Sequence, residues 1–373
     1  MSVGRFAVLS LVRRHVMDAR AMTPRAIMDN VKTVARLERC VHLDIGSSVL
    51  GIDTEEVTGS NPVSSTIDTP PLTSESRSGA ACFSAGPSAP DRMGGSRVRA
   101  MRAWIDGELL EDPNAPAVSV FDHGLTVGDA VFEAIKVVDG QAFALARHLE
   151  RLHRSAAGLG LPAVDEGLLR EGVAAVLAAE QIGLGRIRIT VTGGPAPLGS
   201  GRGESTPTVI VAVSEVPPFA QTTQVITVPW PRNERGALAG LKTTSYAENV
   251  VALARAHRSG AGEAVFANTQ GHLCEGTGTN VFYVVDGELR TPTLASGCLA
   301  GVTRALILEW YGAVEIDEPI EVVEQRASEV FLASTLRDAQ AVVRWNEKDL
   351  PHGPVTRAVR EVWRSREAEL LGD

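Results

Sequence analysis

Residues 239–246 read AGLKTTSY, at a point where an extended segment passes into a helical one. Lys242 is the charged residue of this octet, and its small and apolar neighbours predict partial desolvation. Desolvation lowers the pKa of an amine and leaves more of it free to attack a carbonyl. Because most lysines in such a setting are solvated surface groups, the meaning of Lys242 depends on the segments downstream of it.

Two further blocks lie on the C-terminal side of the lysine. Thirty-three residues on, Glu275 and Gly276 lead into an apolar strand, and the GVTR stretch at 301–304 then places Thr303 at the start of a helix. Free N–H groups and the helix dipole favour a phosphate at such a start. Taken singly, the Glu-Gly pair reads as a turn and Thr303 as an ordinary N-cap.

Three more segments come upstream of the lysine: DHGLTVGD at 122–129, FE at 132–133 and HLERL at 148–152. With Lys242, EGTGTNVF at 275–282 and GVTR at 301–304, they resemble the class IV aminotransferases in order and approximate spacing. The resemblance covers essentially all of 101–373 and none of 1–100. It implies a two-domain α+β fold, the PLP fold type IV of the D-amino-acid aminotransferases, with pyridoxal 5′-phosphate (PLP) as the cofactor.

The resemblance assigns four residues to the cofactor ring. Lys242 would be the catalytic residue and would hold PLP as a Schiff base, while Glu275 would lie against the pyridine nitrogen. A carboxylate there keeps that nitrogen protonated and makes the ring an electron sink. Leu299 would pack on the ring, and Tyr246 would reach its phenolic oxygen.

Four more residues are assigned to the cofactor phosphate by the same resemblance. Arg151 would bind it with a permanently charged fork, although this arginine also reads as an exposed residue on a helix at about 147–159. Val302 and Thr303 would give backbone N–H and hydroxyl contacts, and Thr335 would add another.

Candidates for substrate contacts are Phe132, Arg188, Arg202 and Leu336. Substrate carboxylates need cations, and the two arginines are those available near the predicted pocket wall. Each of them reads equally as a surface ion-pair partner. No His, Cys, Asp and Glu spacing typical of a metal site accompanies them, so a metal hydrolase is disfavoured.

Segments 122–129 and 241–246 are most similar to those of 4-amino-4-deoxychorismate lyases. That activity would release 4-aminobenzoate and pyruvate in the folate pathway. The alternative is an aminotransferase that acts on branched-chain or other amino acids with 2-oxoglutarate. The chain lacks the paired glycines that often follow the lysine in branched-chain enzymes. LGS at 198–200 replaces the arginine and histidine by which D-amino-acid enzymes hold a carboxylate.

The alternative that is not an enzyme is a non-catalytic PLP-binding relative. The lysine, the glutamate and the phosphate ligands remain together, which favours an enzyme. In the family two subunits share the active-site wall, so the resemblance also implies a homodimer.

Composition excludes several other functions. The net charge is −9 and the pI about 5.5, so no basic field favours nucleic acid. No apolar run approaches the roughly 20 residues of a membrane helix. Four cysteines without a CxxC pair indicate neither a disulfide framework nor zinc, and favour a cytoplasmic protein.

The chain divides into segments of different character. From Thr58 to Ser96, 23 of 39 residues are Ser, Thr, Gly or Pro, which predicts disorder. We therefore expect 1–100 to be a disordered or non-native extension, with Met101 as another possible start. A small α+β domain at 101–216, a proline-containing linker at 217–221 and a large PLP-binding domain at 222–373 are expected to come after it.

Periodicity predicts the elements in outline. Hairpins are expected around Asp106-Gly107 and Asp286-Gly287. The other expected strands are 117–121, 131–138, 142–145, 186–192, 208–213, 224–229 and 263–267. Helices are expected at 147–159, at 166–180, at 245–258 and from about 302.

Overall fold

The computed structural model describes residues 101–373, and the predicted extension at 1–100 lies outside them. The first part is built on a six-stranded sheet, here the small sheet, with strand order β2-β1-β6-β5-β3-β4. Its strands are β1 (Met101–Ile105), β2 (Glu108–Leu109), β3 (Ala130–Val138), β4 (Gln141–Ala142), β5 (Leu184–Thr192) and β6 (Val209–Glu215). The helices of this part are α1 (His123–Thr126), α2 (Leu145–Leu159) and α3 (Glu166–Ala178).

Alternation along β3 and β5 gives the small sheet two unlike faces. Val131, Ile135, Ile187 and Ile189 are fully buried and pack in one core with α2 and α3. On α2, apolar side chains at spacings of three and four residues face this core, as the sequence predicted. The opposite face, with Phe132, is left to line a cavity.

The second part is built on a nine-stranded sheet, here the large sheet, with order β12-β11-β10-β13-β14-β7-β8-β9 and β15 beside β14. Its strands are β7 (Thr222–Thr227), β8 (Glu263–Ala267), β9 (Leu273–Gly276), β10 (Asn280–Val285), β11 (Glu288–Thr291), β12 (Val314–Glu315), β13 (Glu329–Ser334), β14 (Asp338–Trp345) and β15 (Lys348–Asp349). The helices are α4 (Ala247–Arg258), α5 (Val302–Trp310), α6 (Ile320–Arg326) and α7 (Pro354–Arg366), and short 3₁₀ turns lie at Leu294–Ser296 and Glu367–Leu370.

The central strand β10 is buried on both faces, which explains its unbroken apolar run. Val281, Tyr283 and Val285 pack in a core with α6. Phe282 and Val284 pack on the other side with α5 and α7. Strands covered on both faces read as continuous hydrophobic runs, as this one does.

Both predicted hairpins are confirmed, and the predicted helices are found within about two residues of their expected bounds. The strand expected at 117–121 is wrong. Within residues 101–373 that segment has no ladder partner. The Phe121 N–H donates to Ser119 Oγ at 3.1 Å in a turn, and Val120 is 69% exposed. The strand expected at 142–145 stops at Ala142, since Ala144 adopts a left-handed conformation and α2 begins at Leu145.

Residues 216–221 join the two sheets without a helix or strand of their own. A division into two separately folding domains at this link stays a prediction. Across 101–373, no helix has both the length and the apolar character needed to cross a bilayer.

Candidate active site

Lys242 is held on the small sheet although it comes after β7 in the chain. The Phe132 N–H donates to the Lys242 carbonyl at 3.0 Å, and the Thr244 N–H donates to the Ala130 carbonyl at 2.8 Å. The Lys242 N–H donates to Ser155 Oγ of α2 at 3.1 Å. The lysine backbone is therefore fixed as a short extension of the small sheet just before α4.

The Lys242 amine lies on an aromatic surface. Its Nζ is 4.4 Å from the centre of the Phe132 ring and 5.9 Å from that of Tyr246, and the two rings meet edge to face. Burial, and after it the nearby Arg151 charge, lower the pKa of Lys242 to about 8, although Glu133 and Glu275 oppose the change. The amine is therefore partly neutral near physiological pH, as the sequence predicted.

Glu275 stands at the end of β9 with both carboxylate oxygens engaged. Its Oε2 accepts the Leu299 N–H at 2.9 Å, and its Oε1 lies 3.2 Å from Arg232 Nε. Burial raises the pKa of Glu275, while Arg232, the Leu299 N–H and Lys242 all oppose that rise. A desolvated carboxylate with a cation behind it can hold a proton on a ring nitrogen in front of it.

Sequence reasoning missed Arg232, which supports that carboxylate. It also donates to Glu248 Oε2 at 2.6 Å and to Asn249 Oδ1 at 3.0 Å, and its guanidinium lies 4.3 Å from the centre of the Phe266 ring. Arg232 stands in a loop after β7 with no local pattern around it. No signal in the sequence marks it.

The N-terminus of α5 is open. Gly301 is the N-cap, and no side chain of residues 101–373 caps this nine-residue helix. Thr303 is therefore not the N-cap that its sequence setting suggested as an alternative. First-turn N–H groups have no partner within a helix. Thr303 Oγ1 is buried and has no hydrogen-bond partner among residues 101–373, and the same holds for Thr279 Oγ1. These donors suit an anionic group.

Arg151 faces the interior and is not exposed on the polar side of α2. Only 6% of Arg151 is accessible to solvent. Its Nε and Nη2 donate to the Glu133 carboxylate at 2.8 and 2.6 Å, and its Nη1 donates to the Ala300 carbonyl at 3.1 Å. Burial alone would raise the pKa of Glu133, but Arg151 and His148 outweigh it and hold that pKa at about 2. Glu133 belongs to the FE segment at 132–133, so the sequence marked its position but not its role.

A cavity of about 720 Å³ opens between the free face of the small sheet and the loops of the large sheet. All but one of the predicted site residues line it: Phe132, Arg151, Arg188, Lys242, Tyr246, Glu275, Leu299, Val302, Thr303, Thr335 and Leu336.

Arg202 is the exception, and its assignment to the substrate is corrected. Its Nε and Nη2 donate to the Asp129 carboxylate at 2.7 and 2.6 Å. The same guanidinium also donates to the carbonyls of Leu159 and Gly160. This arginine joins the 122–129 segment to the end of α2. Arg202 is therefore an ion-pair partner, which was the alternative interpretation of this residue from the sequence.

The residues around the cavity fit PLP. The cofactor needs an amine for its aldehyde, a carboxylate for its pyridine nitrogen and N–H or O–H donors for its phosphate. Lys242, Glu275 and the open end of α5 supply that set. The fit is tested by the buried Thr303 hydroxyl, which has no hydrogen-bond partner within residues 101–373. The fold and the site define a PLP-dependent enzyme.

The chain belongs to the class IV aminotransferase family, whose model, "Amino-transferase class IV", matches residues 130–345. It is 31% identical over 278 residues to a protein of Methanocaldococcus jannaschii provisionally named a branched-chain-amino-acid aminotransferase, covering 70% of this chain and 94% of that protein.

Two further relatives come from Mycobacterium tuberculosis. A bifunctional aminodeoxychorismate lyase / D-amino acid transaminase is 29% identical over 287 residues, covering 70% of this chain and 97% of that protein. The PLP-bound structure of a hypothetical aminotransferase superposes with a TM-score of 0.66 at 27% identity, covering 72% of this chain and 99% of that one.

Proposed function

We propose that the chain is a PLP-dependent lyase that converts 4-amino-4-deoxychorismate into 4-aminobenzoate and pyruvate. The supporting observation is the wall next to the reacting amine. Arg188 Cζ lies 3.9 Å from the centre of the same Phe132 ring that carries the Lys242 amine. A substrate with a carboxylate away from its amine, as aminodeoxychorismate has, suits this wall.

The chain's residues divide the work of binding. The first-turn N–H groups of Val302 and Thr303, the Thr303 hydroxyl and Thr335 would hold the cofactor phosphate. Arg151, fixed by Glu133, would place a positive charge beside it. Leu299 would cover the ring, since its backbone already meets the Glu275 carboxylate.

PLP, when bound, supplies an electron sink for the charge left on a substrate carbon that has lost a proton. Glu275 would keep a proton on the pyridine nitrogen, which that sink requires. The Lys242 amine, with its pKa lowered to about 8 by burial, would take the proton from the carbon that bears the substrate amine. Phe132 and Tyr246 would hold the amine in position and exclude water around it.

Lyase and aminotransferase chemistry differ after this proton transfer. In the lyase the ether C–O bond of the substrate breaks, the six-membered ring becomes aromatic, and the enolpyruvyl group takes up a proton and leaves as pyruvate. Atoms balance without a second substrate. An aminotransferase instead releases a keto acid and needs 2-oxoglutarate or another acceptor to complete its cycle.

The second candidate is an aminotransferase, favoured by the 31% identity to the Methanocaldococcus jannaschii relative. One assay separates the two. The protein is given aminodeoxychorismate alone in one reaction, and isoleucine, D-alanine or leucine with 2-oxoglutarate in others. Pyruvate with 4-aminobenzoate supports the lyase. Glutamate formation from the amino acids, with no 4-aminobenzoate from aminodeoxychorismate, would refute it in favour of the aminotransferase. A PLP-loaded protein inactive in every reaction would support the non-catalytic alternative.

A further inference from the structure

Residues 367–373, here the returning segment, follow α7 and run back from the large sheet to the chain just before α2. The two stretches pair through their backbones. The Ala144 N–H donates to the Leu370 carbonyl at 2.7 Å, and the Gly372 N–H donates to the Ala142 carbonyl at 3.0 Å. The large-sheet part is therefore bonded directly to the start of a helix that packs on the small sheet.

Asp373, the last residue of the returning segment, caps the N-terminus of α2. Its Oδ1 accepts the Leu145 N–H at 2.7 Å. The helix has no cap of its own, because its N-cap residue is Ala144, which has no side-chain oxygen and lies in the left-handed region at φ 51°. A carboxylate at a helix N-terminus accepts a free N–H and interacts favourably with the helix dipole. Asp373 thus supplies from outside α2 what an N-cap side chain ordinarily supplies.

Lys136 of β3 makes a second connection to the returning segment. Only 4% of Lys136 is exposed, and its Nζ lies 2.5 Å from Asp338 Oδ1 of β14 and also contacts the Glu367 carboxylate. The same Nζ lies 5.4 Å from the centre of the Phe143 ring and 5.7 Å from that of Trp363. A buried ammonium needs such partners. It therefore joins β3, β14 and the returning segment at one point.

Phe143 holds the same stretch from the other side. It is fully buried in the core that β10, β13, α5 and α7 form, and its ring centre is 5.5 Å from that of Trp363. It also forms an isolated bridge with Leu371. The chain just before α2 is thus fixed both by the core of the large sheet and by the returning segment.

α2 carries two residues that meet the site. Arg151 is the seventh residue of this helix and donates to the Ala300 carbonyl at 3.1 Å, beside the open N-terminus of α5. Ser155, one turn further on, accepts the Lys242 N–H at 3.1 Å. No residue of 367–373 lines the cavity. The returning segment is therefore connected to the site through α2 and not by direct contact.

We propose that Asp373 and Glu367 are positioning residues, which hold the first turns of α2 against the large sheet and so fix Arg151 at the open end of α5. Without the cap, the first turn of α2 would fray. Arg151, less than two turns further on, would keep its ion pair with Glu133 but lose its fixed place beside Ala300. The inference rests on the proposed function in taking Arg151 as the arginine beside the cofactor phosphate. It applies to a lyase and to an aminotransferase alike, because the cofactor is common to both.

Asp373→Ala removes the cap, and Asp373→Asn is the conservative variant, because asparagine caps a helix about as well as aspartate. Loss of an N-cap weakens a helix end by about fivefold. In Asp373→Ala of the PLP-loaded full chain, we expect the first turn of α2 to exchange its amide hydrogens about fivefold faster. PLP should be lost in dialysis about two to five times faster. Asp373→Asn should restore most of both. Glu367→Gln should act in the same direction but more weakly, since Lys136 keeps Asp338.

Asp165→Ala is the matched control, because it removes the same kind of cap from the neighbouring helix. Asp165 is the N-cap of α3 and accepts the Gly167 N–H at 3.0 Å. α3 packs in the same core as α2, but none of its residues lines the cavity. Asp165→Ala should lower the urea concentration at the unfolding midpoint as Asp373→Ala does. It should leave PLP retention and exchange in α2 unchanged.

Two results would overturn the proposal. One is unchanged exchange in the first turn of α2 in Asp373→Ala. The other is an equal loss of PLP from Asp373→Ala and Asp165→Ala, which would reduce the effect to general stability. The outcome is separable from that of the proposed function, because hydrogen exchange and dialysis need neither substrate nor turnover. Wild-type protein that forms glutamate and no 4-aminobenzoate would sink the lyase and leave the role of Asp373 standing.

Discussion

Replacing Glu275 by glutamine separates the structural role of this side chain from its chemical one. The amide keeps the shape of the carboxylate and can still accept the Leu299 N–H, which Glu275 accepts at 2.9 Å. Arg232 loses a partner at 3.2 Å but keeps Glu248 at 2.6 Å. The free energy of unfolding should therefore fall by about 1 kcal/mol, well below the roughly 3–5 kcal/mol of a buried ion pair broken outright.

Turnover should fall much further than stability. A neutral amide cannot hold the pyridine nitrogen protonated, so the negative charge that develops on the substrate carbon loses its sink. Removal of one electrostatic contact from a preorganised site costs on the order of 10²-fold in kcat, or about 3 kcal/mol. Cofactor binding should persist, because the phosphate contacts and Lys242 are unchanged.

Three measurements check this variant: urea unfolding, visible cofactor absorbance, and pyruvate release at saturating aminodeoxychorismate. Glu248→Gln is the control, since it removes the other carboxylate of Arg232 and should keep turnover within about twofold. Wild-type turnover in Glu275→Gln would refute the assignment of this carboxylate to the ring nitrogen. An equal loss in Glu248→Gln would instead place the effect on Arg232.

Other perturbations test the lysine, the phosphate site, the extension and the assembly. With its pKa lowered to about 8, Lys242 should bind PLP faster as the pH rises through 8, because the neutral amine is the nucleophile. Borohydride treatment followed by peptide mapping should label this lysine, and label on another lysine would contradict its assignment. Thr303→Val should keep the unfolding free energy but weaken PLP retention about tenfold in dialysis, and Thr303→Ser should restore it, because the hydroxyl has no partner within residues 101–373. Protein expressed from Met101 should be folded and fully active, and lost turnover in this form would give residues 1–100 a function. Size-exclusion chromatography should show a homodimer that Leu125→Asp weakens, since Leu125 is 69% exposed beside other exposed apolar side chains; an unchanged dimer would place the interface elsewhere.

The sequence predicted those site residues that lie in locally patterned segments. Lys242 precedes a helix, Glu275 is the last residue but one of a short strand, and Thr303 is the second residue of a helix, so each is marked by its immediate neighbours. All three line the cavity. Their assigned roles stay predictions.

The contacts that the sequence could not predict depend on pairing between distant segments. Arg202 meets Asp129, which is 73 residues away, and nothing near either residue shows that contact. Arg232 reaches Glu275 only because β7 and β9 flank β8 in one sheet. The wrong prediction of a strand at 117–121 has the same cause: the residues alternate locally as a strand does, but the described part of the chain provides no ladder partner.

The site draws its parts from both sheets, and this division bears on its chemistry. The backbone of Lys242 is bonded to β3 of the small sheet and to Ser155 of α2. Glu275 belongs to β9 of the large sheet, and Thr303 belongs to α5, which packs on that sheet. The Lys242 amine is thus anchored on one sheet, while the groups proposed for the ring nitrogen and the phosphate are anchored on the other. Because a proton transfer needs its partners within hydrogen-bond reach, the backbone bonds that join residues 242–244 to β3 fix the distance on which the reaction depends.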